Sequence, residues 1–272
     1  MARYRAANAM APIPFDRHGV YGTIELVDDF VCAENIADLV DGNGVEFLSE
    51  LQWLAEETAG GSVATIDVID GEANHPGIIQ LATGGTIPAD GDQAAIQLGG
   101  GEDDDQNSFV LDTNGLYIAT VLRVPDVDAQ KVEFGLTGQA IAAVNSSALD
   151  IVSLVWDPED AANVGDELWI AQVNGAGTDV ESAASLVPYV EDDWVLLEIA
   201  ADSTSATFRI TTEDNTQTIT LDSTDSVAMP LVAVRPFISV EAVGAAEELV
   251  EIDLFVLRYI RRQPLVASWL GA

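Results

Sequence analysis

The chain has 272 residues, 48% of them hydrophobic, and a formal net charge of −36 from 46 acids against 10 bases. That apolar content is ample for a core and excludes wholesale disorder, while no apolar run reaches the roughly 18 residues a membrane-spanning helix needs. Bare nucleic acid is a poor partner, because binding it requires lysine and arginine to displace counterions.

The segment 1–27 reads as an N-terminal docking arm. It is rich in Ala, Pro and Arg and lacks the apolar stretch of a secretory signal. No acid precedes Asp16 and none follows Asp253, whereas Arg3, Arg5 and Arg17 lie near one end and Arg258, Arg261 and Arg262 near the other. These six arginines are the candidate partner-docking residues, suited to an acidic neighbour or a second copy of the chain. Lys131 is the sole lysine, and lysine poverty beside so many acids suggests a saline, halophilic or marine setting. Cys32 is the single cysteine, so an intrachain disulfide and a cysteine-based metal cluster are both excluded.

After Asp28-Asp29-Phe30 comes an ambiguous stretch, residues 45–57. Phe47, Leu48, Leu51 and Leu54 have helical spacing, but Phe47, Ser49, Leu51 and Trp53 could equally share one face of a strand, the assignment adopted here. In EANHPGIIQLATGG (72–85), Asn74-His75-Pro76-Gly77 predicts a type II turn in which Gly77 takes positive φ before an apolar strand. His75 then caps a corner, since the only other histidine is His18 in the arm. Gly99 to Asn107 reads as a solvated acidic loop. Asp103, Asp105 and Asn107 offer oxygens in the alternation calcium favours, but Ser108 stands where an EF-hand needs glycine, so no metal site is assigned.

The remaining chain reads as β. In 131–138, Val132, Phe134 and Leu136 share a face while Lys131 and Glu133 take the other; 205–212 and 216–223 alternate in the same way. Residues 116–125, 150–156, 167–173 and 194–200 are more continuously apolar and are predicted to be covered on both faces. Turn signals at short spacing and the lack of long amphipathic helices predict one all-β sandwich over residues 28–262, followed by a tail, 263–272.

Glu251-Ile252-Asp253-Leu254-Phe255 resembles the E-x-D-x-(x)-E strand of the family-16 glucanases. Glu251 and Asp253 would share a face, and a retaining glycosidase places two carboxyls about 5–5.5 Å apart. Phe255 and Val256 occupy the positions of the closing glutamate, so no catalytic residue is assigned and a glycoside hydrolase is the third alternative. Trp53, Trp156, Trp169 and Trp194 could stack on sugars if exposed, but each sits in or beside an apolar strand, so most of them read as core.

The order of these landmarks is similar to that of the concanavalin A-like, jelly-roll proteins of tailed viruses. The series runs through Asp28-Asp29-Phe30, Trp53, His75-Pro76-Gly77 through Thr83-Gly84, residues 121–138, WVLLEI (194–199), Ile252-Asp253-Leu254-Phe255 and Arg258 to Arg262. The resemblance implies a two-sheet antiparallel jelly roll and a non-enzymatic virion protein, a capsid decoration or tail component. Its partners would be other virion proteins and further copies of itself, with no cofactor, nucleic acid or membrane. A glycan- or receptor-binding module is the alternative function.

Overall fold

A computed structural model describes residues 22–31, 33, 35, 45–58, 64–84, 91–99, 109–125, 130–139, 150–157, 168–175, 178–182, 189–222, 225, 227–243 and 247–261. They form seventeen strands: β1 (Gly22–Asp28), β2 (Val45–Leu48), β3 (Gln52–Thr58), β4 (Thr65–Ile69), β5 (Ile78–Ala82), β6 (Gln93–Leu98), β7 (Phe109–Val110), β8 (Leu116–Arg123) and β9 (Gln130–Thr137). There follow β10 (Ile151–Trp156), β11 (Trp169–Gly175), β12 (Thr178–Glu181), β13 (Val195–Ala201), β14 (Ala206–Thr211), β15 (Thr216–Leu221), β16 (Ala233–Ala242) and β17 (Leu249–Arg261).

The strands make two antiparallel sheets. The eight-stranded sheet has the order β15-β14-β13-β8-β17-β5-β4, with β1 also on β17; the nine-stranded sheet has the order β12-β11-β10-β9-β16-β6-β3-β2, with β7 also on β16. β17 is long enough to serve two neighbours along one side: Leu249–Ile252 pairs with β5, and Phe255–Arg261 pairs with β1. The predicted all-β sandwich is present. β1 begins at Gly22, inside the segment read as an arm.

One apolar core fills the space between the sheets, the expected result when each strand turns alternate residues inward. Tyr189 wedges between Trp156 and Trp169, at centroid distances of 5.7 and 6.4 Å. Trp53 meets Phe255 edge-on at 4.9 Å and Phe30 at 5.9 Å, which ties β3 of one sheet to β17 of the other. The Asp28 carboxylate locks this corner by accepting bonds from Phe30 N (3.0 Å), Ser49 Oγ (2.5 Å), Leu51 N (3.2 Å) and Trp53 Nε1 (2.8 Å). The Asp28-Asp29-Phe30 and Trp53 landmarks are thus one structural staple.

Some expectations hold and others need correction. Residues 45–57 form a hairpin of β2 and β3, as adopted, turning at Ser49–Leu51. β9 is buried on both faces instead of one: Glu133 is 1% exposed and bonded by Ser153 Oγ (3.2 Å), with Lys131 Nζ 3.6 Å away and reaching Glu241 at 3.7 Å. Burial holds the Glu133 carboxyl above its ordinary range, with Lys131 opposing. β10 and β11 are covered on both faces as predicted, but β8 and β13 alternate. Their outward residues, with those of β17, form the platform for the site.

Candidate functional site

On the outer face of the eight-stranded sheet, cross-strand register lines up residues that are distant in sequence. Gln80 of β5 faces Glu251 of β17, and Glu251 faces Arg123 of β8. Trp194 lies one residue before Val195, which pairs with Leu122, so the row continues from Arg123 to the indole.

Arg123 binds Glu251 through Nε and Glu72 through Nη2 (2.8 Å), and its Nε lies 3.6 Å from Asp192 Oδ1. Gln80 Nε2 donates to Glu251 Oε1 at 3.0 Å. Burial works against the guanidinium's charge, but the bonds to Glu251 and Glu72 outweigh it and hold Arg123 protonated more firmly than usual. Its Cζ sits 4.8 Å from the centre of the Trp194 ring.

His75 completes the cluster. Its ring stacks on Trp194 at 4.2 Å and 13°, and its Nδ1 lies 3.0 Å from Asp253 Oδ2. The predicted corner exists, but the turn sits two residues earlier than expected, at Glu72–His75. Glu72 N donates to His75 O (2.8 Å), His75 N donates to Glu72 O (3.0 Å), and Asn74 takes the positive φ of 76°. Asn tolerates that conformation through its short polar side chain. Gly77 serves close packing: a Cβ there would lie 2.2 Å from Asp29 O and 2.4 Å from Val31 N.

A β-bulge delivers Asp253. The pairing of β17 with β8 slips between Ile252 and Leu254, so Asp253 is the extra residue, and bulges commonly re-aim a side chain in this way. Thr120 Oγ1 stabilises the slip by donating to Leu254 O at 2.9 Å. Asp253 is 8% exposed; its Oδ1 is buried with no hydrogen-bond partner among the described residues. Burial raises the Asp253 carboxyl above its usual range, while His75 pulls the other way. The carboxylates read together from sequence therefore have separate partners, Arg123 for Glu251 and His75 for Asp253. Phe255, at one position of the glucanase glutamate, is fully buried in the core.

Tyr189 positions this end of the site. Its Oη accepts from Val124 N (2.5 Å) and donates to Asp193 O (3.0 Å), fastening the residues next to Arg123 and Trp194. Neither Tyr189 nor the partnership of Arg123 with Trp194 was marked in the sequence; the signal was the apolar run WVLLEI meeting a polar Asp-Asp step.

The docking arginines divide. Arg258 Nε donates to Glu25 Oε2 at 2.6 Å, and its Cζ lies 5.3 Å from the Tyr117 ring. It borders an open depression of about 430 Å³ that Asn114, Asp202, Ser205 and Thr207 also line. Arg261 pairs with Gly22 across β17 and β1. Arg3, Arg5, Arg17 and Arg262 lie outside the described residues, as do Cys32 and the acidic loop from 101 to 108. Among the described residues, no three His, Cys, Asp or Glu side chains converge to hold a metal ion.

Solved structures share this architecture. Peanut lectin, solved with a 9mer peptide, has a TM-score of 0.51 at 12% identity, covering 88% of this chain and 99% of its own. Lectin I from Ulex europaeus, in complex with the methyl glycoside of α-L-fucose, scores 0.52 at 11% identity over 87% and 97%. This chain has the concanavalin A-like fold. Winged bean acidic lectin, complexed with methyl-α-D-galactose, superposes on the same lectin-like sandwich with a TM-score of 0.52 at 8% identity, over 88% of this chain and 100% of its own. No family model and no curated protein matches the sequence. At these identities the lectin-like sandwich is shared as a fold, and function must be argued from the sites it carries.

Proposed function

We propose that the chain is a non-enzymatic carbohydrate-binding module whose contact surface is the Trp194–His75–Asp253 cluster. The observation that carries this reading is the half-buried stack of His75 on Trp194 at 4.2 Å, with the Asp253 carboxylate 3.0 Å from the imidazole. Sugars present hydroxyl groups and apolar C–H surface, which match the His75–Asp253 pair and the part of the indole that His75 and Arg123 leave open. Arg123 is engaged by three carboxylates, so the site is suited to neutral sugars rather than anionic ones. The bound fucoside and galactoside of the two lectins above support the class of ligand. A glycan array probed with the full chain tests the reading. Saturable binding that Trp194→Ala abolishes, with thermal unfolding retained, is expected; no saturable binding to any glycan would overturn it.

The β1–β17 pairing favours a second, compatible reading. Gly22 opposite Arg261 brings both ends of the sandwich to one corner, and the sequences beyond carry Arg3, Arg5 and Arg17 on one side and Arg262 on the other. We infer a docking foot for an acidic neighbour, which suits a capsid-decoration or tail protein of a virion, in a saline setting. The ordered resemblance to virion proteins supports it. Deleting residues 1–15 should leave a folded domain that no longer joins the particle; full incorporation of the truncated chain would defeat the docking role.

A further inference from the structure

The outer face of the eight-stranded sheet carries a second polar row. Cross-strand register sets Thr207 of β14 opposite Ala200 of β13, Ala200 opposite Tyr117 of β8, Tyr117 opposite Arg258 of β17, and Arg258 opposite Glu25 of β1. From Tyr117 to Arg123 β8 rises roughly 20 Å, so this row is well separated from the Trp194 cluster. Ala200 is exposed and ends at its methyl, which makes it a floor between Thr207 and the Tyr117 ring. The depression here encloses about 430 Å³, within the roughly 300–1,000 Å³ usual for small-molecule sites.

Its rim is tied down. Ser203 N donates to Asp112 O at 3.2 Å, which joins the β13–β14 hairpin to the turn before β8. Gly115, at a φ of 76°, lets that turn close onto Ala201 O, which lies 3.3 Å from where a Cβ would stand. In the hairpin, Asp202 Oδ1 accepts from Thr204 N (2.7 Å), Thr204 Oγ1 (2.7 Å) and Ser205 N (3.0 Å). A frame set in advance costs a ligand little ordering.

The polar groups are spread along the depression. Arg258 gives Nε to Glu25 and lays its Cζ 5.3 Å from the Tyr117 ring, whose Oη donates to Glu198 Oε1 at 2.7 Å. The guanidinium is thus oriented, while Nη1 and Nη2 have no partner among the described residues. That open edge of a planar fork suits a carboxylate, gripped by two parallel bonds. Asp202 is the one acid among the described lining residues; the hairpin uses its Oδ1 and leaves Oδ2 to accept from a ligand hydroxyl. β8 stands between β13 and β17, so the Asp202 and Arg258 backbones lie on the order of 10 Å apart. A lone carboxylate would leave most of this space empty, whereas a sugar ring bridges it.

We propose that the depression is a binding subsite for a sugar acid, with the Nη1–Nη2 edge of Arg258 on the carboxylate and Asn114, Asp202, Ser205 and Thr207 on the hydroxyls. The site and its ligand class are distinct from those of the neutral-sugar cluster.

Calorimetric titration of the full chain with glucuronate, galacturonate and N-acetylneuraminate tests it, against glucose, galactose and acetate. About 0.15 M NaCl, which screens charges beyond roughly 8 Å, keeps the net charge of −36 from masking a short-range pair. At least one sugar acid should bind saturably, and the neutral sugars and acetate about tenfold more weakly or not at all. Arg258→Gln should weaken that binding by about tenfold or more. Ala200→Leu, which raises the floor at an exposed position and keeps Arg258, should abolish it with thermal unfolding unchanged. Trp194→Ala should leave it intact, so the two sites fail separately. Sugar acids that bind no better than acetate or than neutral sugars would overturn the proposal. So would binding that survives Ala200→Leu, or binding that disappears with Trp194→Ala.

Discussion

His75 Nδ1 and Asp253 Oδ2 meet at 3.0 Å although 178 residues separate them. The contact joins the hairpin turn before β5 to the bulge in β17. It sets an imidazole against a carboxyl on the outer face of the eight-stranded sheet.

That pair has a pH signature. Burial, against the pull of His75, holds the Asp253 carboxyl above its ordinary 3.8. The folded protein therefore keeps this proton to higher pH than the unfolded chain. Its contribution to stability is full below 3.8 and is lost as pH rises through the raised folded value. Asp253→Asn has no proton to lose there. The melting temperature of wild type minus that of the variant should fall as pH increases from about 3 to 6. A flat difference would show that the carboxyl is not held up.

Arg123 and Glu251 form a partly buried pair, their side chains 14% and 7% exposed. Arg123→Met leaves Glu251 and Glu72 without their cation and should cost about 3 kcal/mol. Adding Glu251→Gln should recover part of that loss. Urea unfolding of the two single variants and the double variant measures the coupling; strictly additive losses would mean that the two side chains act separately.

The Asp28 carboxylate accepts four hydrogen bonds, three of them from the β2–β3 hairpin of the other sheet. Asp28→Asn replaces one acceptor oxygen with a donor and should destabilise by about 3 kcal/mol. The near-ultraviolet signal of Trp53 should weaken before global unfolding. A variant as stable as wild type would remove the staple from the account of the fold.

Gly77 and Gly91 separate two reasons for glycine. Gly77→Ala drives a methyl into the Asp29–Val31 backbone and should cost about 2 kcal/mol. Gly91 has open space around it but a φ of +91°, so Gly91→Ala should cost about 1 kcal/mol from backbone strain alone. Thermal unfolding of the two variants should rank them in that order.

The sandwich was legible because alternation is local information. Residues 206–211 and 216–221 show their half-buried faces directly in TFRIT and TQTIT, and the structure agrees. Lys131 and Glu133 misled because the same alternation cannot say what covers the second face; there the charges are buried and satisfied by Ser153, Glu241 and each other. The site was legible in parts only. His75, Glu251, Asp253 and Trp194 were all marked singly, but their meeting depends on strand order, a bulge and a turn displaced by two residues. Composition and spacing along a chain carry none of these.

Among the described residues β17 is the last strand in sequence, and yet it stands inside its sheet, with β8 along one side and β5 and β1 sharing the other. Until β17 is in place, the seven earlier strands of that sheet stay split into incomplete groups. This sheet should therefore close slowly, as pairings over long sequence separations do. Loss of residues 255–261 would leave β1 without its partner.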